Sequence, residues 1–267
     1  MLSNATGMFT RENAETHQPN AMVPAVAKAF RLLDLLSTST EPLGVSELAR
    51  RLGMGKSTVY GLVTTLQSLG AVESADGAKR YRIGRGLYAL AMRSAGRQDL
   101  RSVARPCLER LAAQTDQTSF LGVVGADTVT ILDIVHGRLA MSVSAPVGSS
   151  IPLMAGAVGK AVLGAWDPVK RAQFLARTPL PTFTEHSIVD PVAYARAVDE
   201  AATRGAALDV DEYVDGMRAA AAPVFGSGDQ LAAVVWIAGF ARHIDDAALI
   251  EIGQAVAREA REIGRAL

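Results

Sequence analysis

The chain has 267 residues, 49% apolar and 20% charged, with 24 Gly and 11 Pro; this is room for about two domains and excludes a disordered, collagenous or disulfide-stapled protein. A single cysteine, Cys107, no apolar run of the ~20 residues that span a bilayer and no apolar leader core point to a cytoplasmic protein without a membrane partner. The 27 basic and 27 acidic side chains cancel overall, but residues 24–97 carry +6, residues 98–267 carry −5 and residues 1–23 carry −1, so a basic module that suits a polyanion precedes an acidic one, although +6 also suits an ordinary soluble surface.

Residues 1–23 are polar and aperiodic and read as a disordered arm. From Pro24 a helical period sets in, with Val26, Ala29, Phe30 and Leu33 on one face. Pro42 and Gly44 interrupt it. Ser46 then reads as the N-cap of a short helix that turns Leu48, Ala49 and Leu52 inward. Gly53-Met54-Gly55 is a tight turn, and residues 56–69 form a third helix with Val59, Leu62, Val63 and Leu66 inside and Gly70 at its end. Residues 71–74 and 79–83 make a hairpin about an Asp76-Gly77 turn. A connecting helix over residues 85–97 places Leu87, Leu90 and Ala91 inside; Gly96 and Asp99 mark a boundary, and Asp99 caps a further helix to residue 114, perturbed at Pro106.

The remainder alternates. Strands are expected at residues 119–124, 129–135, 140–145, 206–210, 218–225 and 231–240. Helices are expected at residues 155–165, 169–176, 191–204 and 245–265. Six strands interrupted by helices imply an α+β domain around a central sheet.

Residues 45–66 are the most informative stretch. Two helices joined by a glycine-containing turn form a helix-turn-helix. The outward face of its second helix carries Lys56, Ser57, Thr58, Tyr60, Gly61, Thr64, Thr65 and Ser68. Short hydrogen-bonding side chains with one cation near the N-terminus suit base edges in the major groove. Amides at the start of that helix can hold a phosphate. Ser46, Arg50 and Arg51 on the preceding helix suit backbone contacts. The hairpin adds Lys79, Arg80 and Arg82, which makes the module a winged helix-turn-helix. The alternative is a helical hairpin with polar solvent faces.

Other motifs carry less. Gly53–Thr58 resembles the end of a phosphate-binding P-loop, but it follows a helical segment and has Arg50 where that motif needs Gly. Gly84-Arg85-Gly86 resembles a dinucleotide fingerprint without a buried βαβ unit around it. His17, His136, His186 and His243 have no metal-ligand spacing. Ser149 and Ser227 match no nucleophile elbow, and Cys107 reads as a packed residue. No catalytic set, metal or cofactor is expected, and the chain reads as a non-enzyme.

The segment Gly44-Val45-Ser46-Glu47-Leu48-Ala49-Arg50-Arg51-Leu52-Gly53, then Lys56-Ser57-Thr58-Val59, Leu66-Gln67-Ser68-Leu69-Gly70 and Tyr81-Arg82-Ile83-Gly84, resembles the IclR-type transcriptional regulators. So do Gly148–Leu153, Ala157–Leu163, Asp211-Glu212 and Ala221–Phe225 in the second half, in the family's order and spacing. The resemblance implies a winged helix-turn-helix over residues 24–84, a linker helix over 85–98 and a GAF-like effector domain over 99–267 whose antiparallel sheet is flanked by helices. It implies a homodimer or dimer of dimers on a palindromic operator of double-stranded DNA, repressing or activating a catabolic operon under control of a small molecule. The effector residues it points to are Leu153, Met154, Gly156, Ala157, Val158, Gly159, Asp211, Ala219, Trp236 and Ala238.

Two departures from that pattern matter. Gly61 stands where many relatives carry a cation, so base readout falls on Lys56, Ser57, Thr58, Tyr60 and Thr64. Ala219, Trp236 and Ala238 are apolar where several relatives place small polar residues. A compact hydrophilic acid would lose its water there without replacement. The expected effector is therefore a bulkier organic acid, aromatic or branched, packed on Trp236, with its anionic end on the amides of residues 156–159. Trp236 equally suits a core position between Val234 and Ala238. An architectural DNA-binding protein without ligand and a small-molecule enzyme fused to a DNA-binding module are the alternatives.

Overall fold

A computed structural model of the protein describes residues 23–75, 79–94 and 100–267. The expected arm before residue 23, the Asp76-Gly77 turn, the Gly96 boundary and the Asp99 cap lie outside the described residues. The chain divides into two units, Met1–Gly96 and Arg97–Leu267.

In the first unit, α1 (Pro24–Ser37) is followed by β1 (Leu43–Gly44), α2 (Val45–Leu52), α3 (Lys56–Ser68), β2 (Val72–Ser74), β3 (Arg80–Ile83) and α4 (Arg85–Ser94). Leu32 and Leu36 of α1, Leu48 and Leu52 of α2 and Val59, Val63 and Leu66 of α3 close one small core. Turning these side chains inward leaves the polar face of α3 to solvent.

Four expectations need correction here. Two overlapping apolar stripes run along α1, and the one that packs contains Ala29, Leu32, Leu33 and Leu36, while Val26 and Phe30 are exposed. Ser46 lies inside the first turn of α2, whose N-cap is Gly44. Residues 43–44 are not a simple break: they pair with Tyr81 and Arg80, making the wing a three-stranded antiparallel sheet in the order β1-β3-β2. Two residues are too short for alternation to register. Leu90 and Ala91 of α4 are exposed, and only Leu87 packs partly on the core.

The dinucleotide-like glycines have another use. The amide of Gly86 donates to the Gly70 carbonyl at 2.9 Å, and a Cβ on Gly84 would lie 2.3 Å from that oxygen. The glycines let two backbones cross at the base of the wing.

The second unit contains α5 (Leu100–Thr115), β4 (Thr118–Val124), β5 (Thr128–Val135), β6 (Ser150–Pro152), α6 (Gly156–Gly164), α7 (Pro168–Arg177), α8 (Pro191–Arg204), β7 (Ala207–Val210), β8 (Met217–Phe225), β9 (Leu231–Phe240) and α9 (Asp246–Arg265). Its strands form one antiparallel sheet in the order β6-β5-β4-β9-β8-β7. Alternation along β4 and β9 feeds two cores. Leu121, Val235 and Ile237 pack with α5 and α9. Phe120, Val234, Trp236 and Ala238 pack with α6.

The strand expected at residues 140–145 is absent; the sheet's outer strand is β6, paired with β5 through Thr128↔Pro152 and Val129↔Ile151. The apolar residues of that stretch, Val143 and Ala145, pack against the α6-side core instead of joining a ladder. Cys107 is buried in α5, and burial pushes its thiol up to about 11, which suits packing rather than reactivity.

Candidate nucleic-acid interface and ligand cavity

The α3 face expected to read DNA is open. Lys56, Ser57, Thr58, Tyr60, Gly61, Thr64 and Thr65 are all exposed, Tyr60 by 60%. No side chain caps the helix at Gly55, so its first amides point to solvent. Thr65 differs from its neighbours, because its hydroxyl donates to the Gly61 carbonyl at 2.9 Å and is committed to its own helix.

The cations fall into two groups. Arg50 and Arg51 both grip Glu47, each at 2.6 Å. Those bonds hold the Glu47 carboxyl down at about 2. Arg82 pairs with Glu73 across the wing at 2.8 Å. Lys56, Lys79 and Arg80 are exposed and make no ion pair among the described residues. Ser46 is exposed beside Glu47 on α2.

The second unit holds a cavity of about 300 Å³ between its sheet and α6. Five of the expected effector residues line it: Ala157 and Val158 from α6, Ala219 from β8, and Trp236 and Ala238 from β9. Trp236 lies flat on Phe120, centroids 5.0 Å apart and planes 3° from parallel, so the ring is at once core and wall. Val143, Ser144 and Ala145 border the cavity from the strandless segment.

The other five do not line it. Leu153 belongs to the core around α6. Met154 faces Leu163, Tyr194 and Val198. Gly159 is packed on the Met154 backbone. Asp211 sits in the turn after β7 at φ +60°, its amide donating to the Met217 carbonyl at 2.9 Å. Gly156, at φ +41°, abuts the carboxylate of Asp209, which a Cβ there would enter at 1.7 Å.

Asp209 is the polar residue of the cavity that the reading from sequence missed. It follows Ala207 by two along β7 and faces α6, opposite Ala219. Period-two reading of residues 207–210 would have shown it. Its carboxylate accepts from the Glu212 amide at 2.8 Å and from the amides of Ala157 and Tyr213.

Two of the four amides of the expected anion site already have partners. The Ala157 amide is already taken by Asp209, and the Gly159 amide donates to the Ala155 carbonyl. Burial raises the Asp209 carboxyl above its ordinary value against the pull of those amides and of Lys160. Beside it, the buried Lys160 ammonium pairs with Glu212. Glu212 is itself pushed up by burial and pulled back by Lys160. The Tyr194 hydroxyl is buried with no hydrogen-bond partner among the described residues, and burial and the nearby Glu212 push it up.

Arg218 borders the cavity but does not charge it. It precedes Ala219 on β8, so its side chain leaves by the other face of the sheet. There Nη1 donates to the Ile244 carbonyl at 2.9 Å and meets Asp246 at 2.7 Å. Among the described residues no cluster of His, Cys, Asp and Glu could hold a metal ion, and no helix is long and apolar enough to cross a membrane.

Comparison with known proteins places both units. Residues 92–265 match the family model described as bacterial transcriptional regulator IclR C-terminal, and residues 25–76 match the IclR helix-turn-helix domain. The HTH-type transcriptional regulator BhcR of Paracoccus denitrificans is 32% identical over 241 residues, covering 90% of this chain and 86% of that protein. The glycerol operon regulatory protein of Streptomyces coelicolor is 31% identical over 202 residues, covering 76% and 79%. The crystal structure of an IclR transcriptional regulator from Alicyclobacillus acidocaldarius superposes with a TM-score of 0.75 at 27% identity, covering 91% of this chain and 98% of that one.

Proposed function

Because the chain belongs to the IclR family of bacterial transcriptional regulators, we propose that it binds a palindromic operator of a catabolic operon in the cytoplasm, as a homodimer or dimer of dimers, and that an organic-acid effector in the sheet–α6 cavity changes that binding. The observation that carries the DNA assignment is the exposed polar face of α3 in a unit whose Lys79 and Arg80 are exposed and make no ion pair among the described residues. Lys56, Ser57, Thr58, Tyr60 and Thr64 read base edges in the major groove. Lys79 and Arg80 hold phosphates. Arg50, Arg51 and Arg82 reach the backbone only by sharing themselves with Glu47 and Glu73.

Exposed Val26 and Phe30 on α1 and Tyr88 and Leu90 on α4 supply the apolar surface for a twofold pairing, and a twofold protein reads a twofold site. The cavity favours a ligand-controlled regulator over an architectural protein. An effector acts only by binding the DNA-competent and incompetent states with different affinity.

Selection of genomic fragments on the purified protein, with and without small acids, tests this. One recurring inverted repeat, retained or released when an acid is added, is the expected result. Equal retention of random competitor under every condition overturns it. Within the same assay, Lys79→Ala with Arg80→Ala should weaken all duplexes alike and flatten the salt slope by about two phosphate contacts. An unchanged slope removes the wing from the interface.

A further inference from the structure

Residues 136–149 form neither helix nor strand, yet Val143, Ser144 and Ala145 border the cavity. The segment is anchored towards both ends. Arg138 pairs with Asp116 at 2.7 Å, and the Gly148 amide donates to the Ile131 carbonyl at 2.8 Å. Between those anchors the polar contacts are long. Ser142 Oγ lies 3.5 Å from His136 Nδ1, and Nη2 of Arg242 donates to Met141 Sδ at 3.5 Å.

Met141 is 58% exposed and joins none of the apolar clusters of its unit. Met54, Met154 and Met217 are each less open to solvent. The guanidinium beside its sulfur is held by neutral groups. Nε of Arg242 donates to His243 Nε2 at 3.2 Å, and Cζ lies 5.2 Å from the centroid of the Phe240 ring. Arg242 makes no ion pair among the described residues. A thioether is a weak acceptor, so a charged donor is aimed at a sulfur that makes little use of it.

We propose that Met141 is a site of reversible oxidation by peroxide, and that its sulfoxide oxygen accepts from Arg242 and so fastens residues 140–145 to the end of β9. The sulfur lone pair attacks a peroxide oxygen and the O–O bond breaks. Thioether and hydrogen peroxide become sulfoxide and water; sulfur is oxidised and peroxide reduced. Exposure sets how readily the sulfur reacts, and Arg242 sets what the product does. A hydrogen bond from a cation to the sulfoxide oxygen is charge-assisted, and much stronger than the contact to sulfur that it replaces. The unbranched methionine side chain has the rotational freedom to present that oxygen to Nη2. Because Val143, Ser144 and Ala145 follow directly, the clamp stiffens a wall of the cavity. The modification site itself does not depend on what fills that cavity.

Treatment of the full chain with dilute hydrogen peroxide, read by peptide mass spectrometry and amide hydrogen exchange, tests the proposal. Met141 should gain its oxygen about tenfold faster than buried Met154. Exchange across residues 140–145 should slow about fivefold in the oxidised chain, and return to its starting rate after methionine sulfoxide reductases for both epimers have acted. Met141→Leu should show no slowing on oxidation, which separates this site from the other methionines. Arg242→Ala, a change at an exposed position, should still be oxidised at Met141 but keep the faster exchange. Oxidation of Met141 no faster than that of Met154, exchange that is unchanged or faster in the oxidised chain, or the same slowing in Arg242→Ala overturns the proposal.

Discussion

Glu47 stands between two arginines that would otherwise face a polyanion. It holds Arg50 through two hydrogen bonds and Arg51 through a third. A carboxylate beside the α2 guanidiniums should restrain non-specific phosphate binding, whereas Lys56, Lys79 and Arg80 make no ion pair among the described residues. Glu47→Gln should therefore raise affinity for random duplex several-fold and steepen the salt slope by about one phosphate contact; fluorescence anisotropy at several salt concentrations measures it. The folded carboxyl titrates at about 2, below its ordinary 4.5. Its pairing is thus complete above the ordinary value and lost only as pH falls through about 2, so Glu47 contributes no pH dependence to DNA binding near neutrality. Tyr60 and Thr58 are exposed on α3 and are proposed for the other class of contact. Substituting either by Ala should change which operator is preferred by roughly 1–3 kcal/mol per altered base contact, read by competition among operator variants.

At the scale of elements, α6 is fixed at both its start and its middle by buried charge. Asp209 accepts from its first turn, and Lys160 ties it to Glu212. Lys160→Met would leave Glu212 buried without its cation and next to Asp209. A loss of about 3–5 kcal/mol in unfolding free energy is expected, measured by denaturant unfolding. A similar loss in unfolding free energy should not follow for Arg196→Ala, whose partner Glu200 is on an exposed helix surface. Elements bracketed by strong local chemistry were legible in sequence. Asp190-Pro191 starts α8 and left-handed Gly205 ends it, and both ends were read correctly. Elements decided by tertiary choice were not. Residues 140–145 alternate like a strand, but Val143 and Ala145 border the cavity instead. The face of α1 was ambiguous because both of its stripes are apolar, and only packing chose between them. Asp211 was selected from a motif, whereas the cavity carboxylate, Asp209, was set by strand parity.

For the whole molecule, the exposed apolar residues of the first unit are the feature that a monomer leaves unexplained. Phe30 is 68% exposed and Tyr88 71%, and large apolar side chains left open in this way suit the proposed association surface. Phe30→Glu should shift sedimentation towards the monomer and weaken binding to a two-half-site operator far more than to a single half-site. The division of charge along the sequence announced two units with different partners, and the helix-turn-helix spacing announced which of them meets DNA. The sensing half was legible as a fold from its alternation, but its chemistry was not, because a cavity is made by the meeting of β7, β8, β9 and α6, which no single segment records. The chain has two tryptophans. Trp166 packs edge-on to Phe174 under Lys170 and does not line the cavity that Trp236 walls. The molecule thus carries its own optical gauge: a ligand that touches the indole of Trp236 should alter ultraviolet emission from one of two emitters, so occupancy can be followed in real time without attaching a dye.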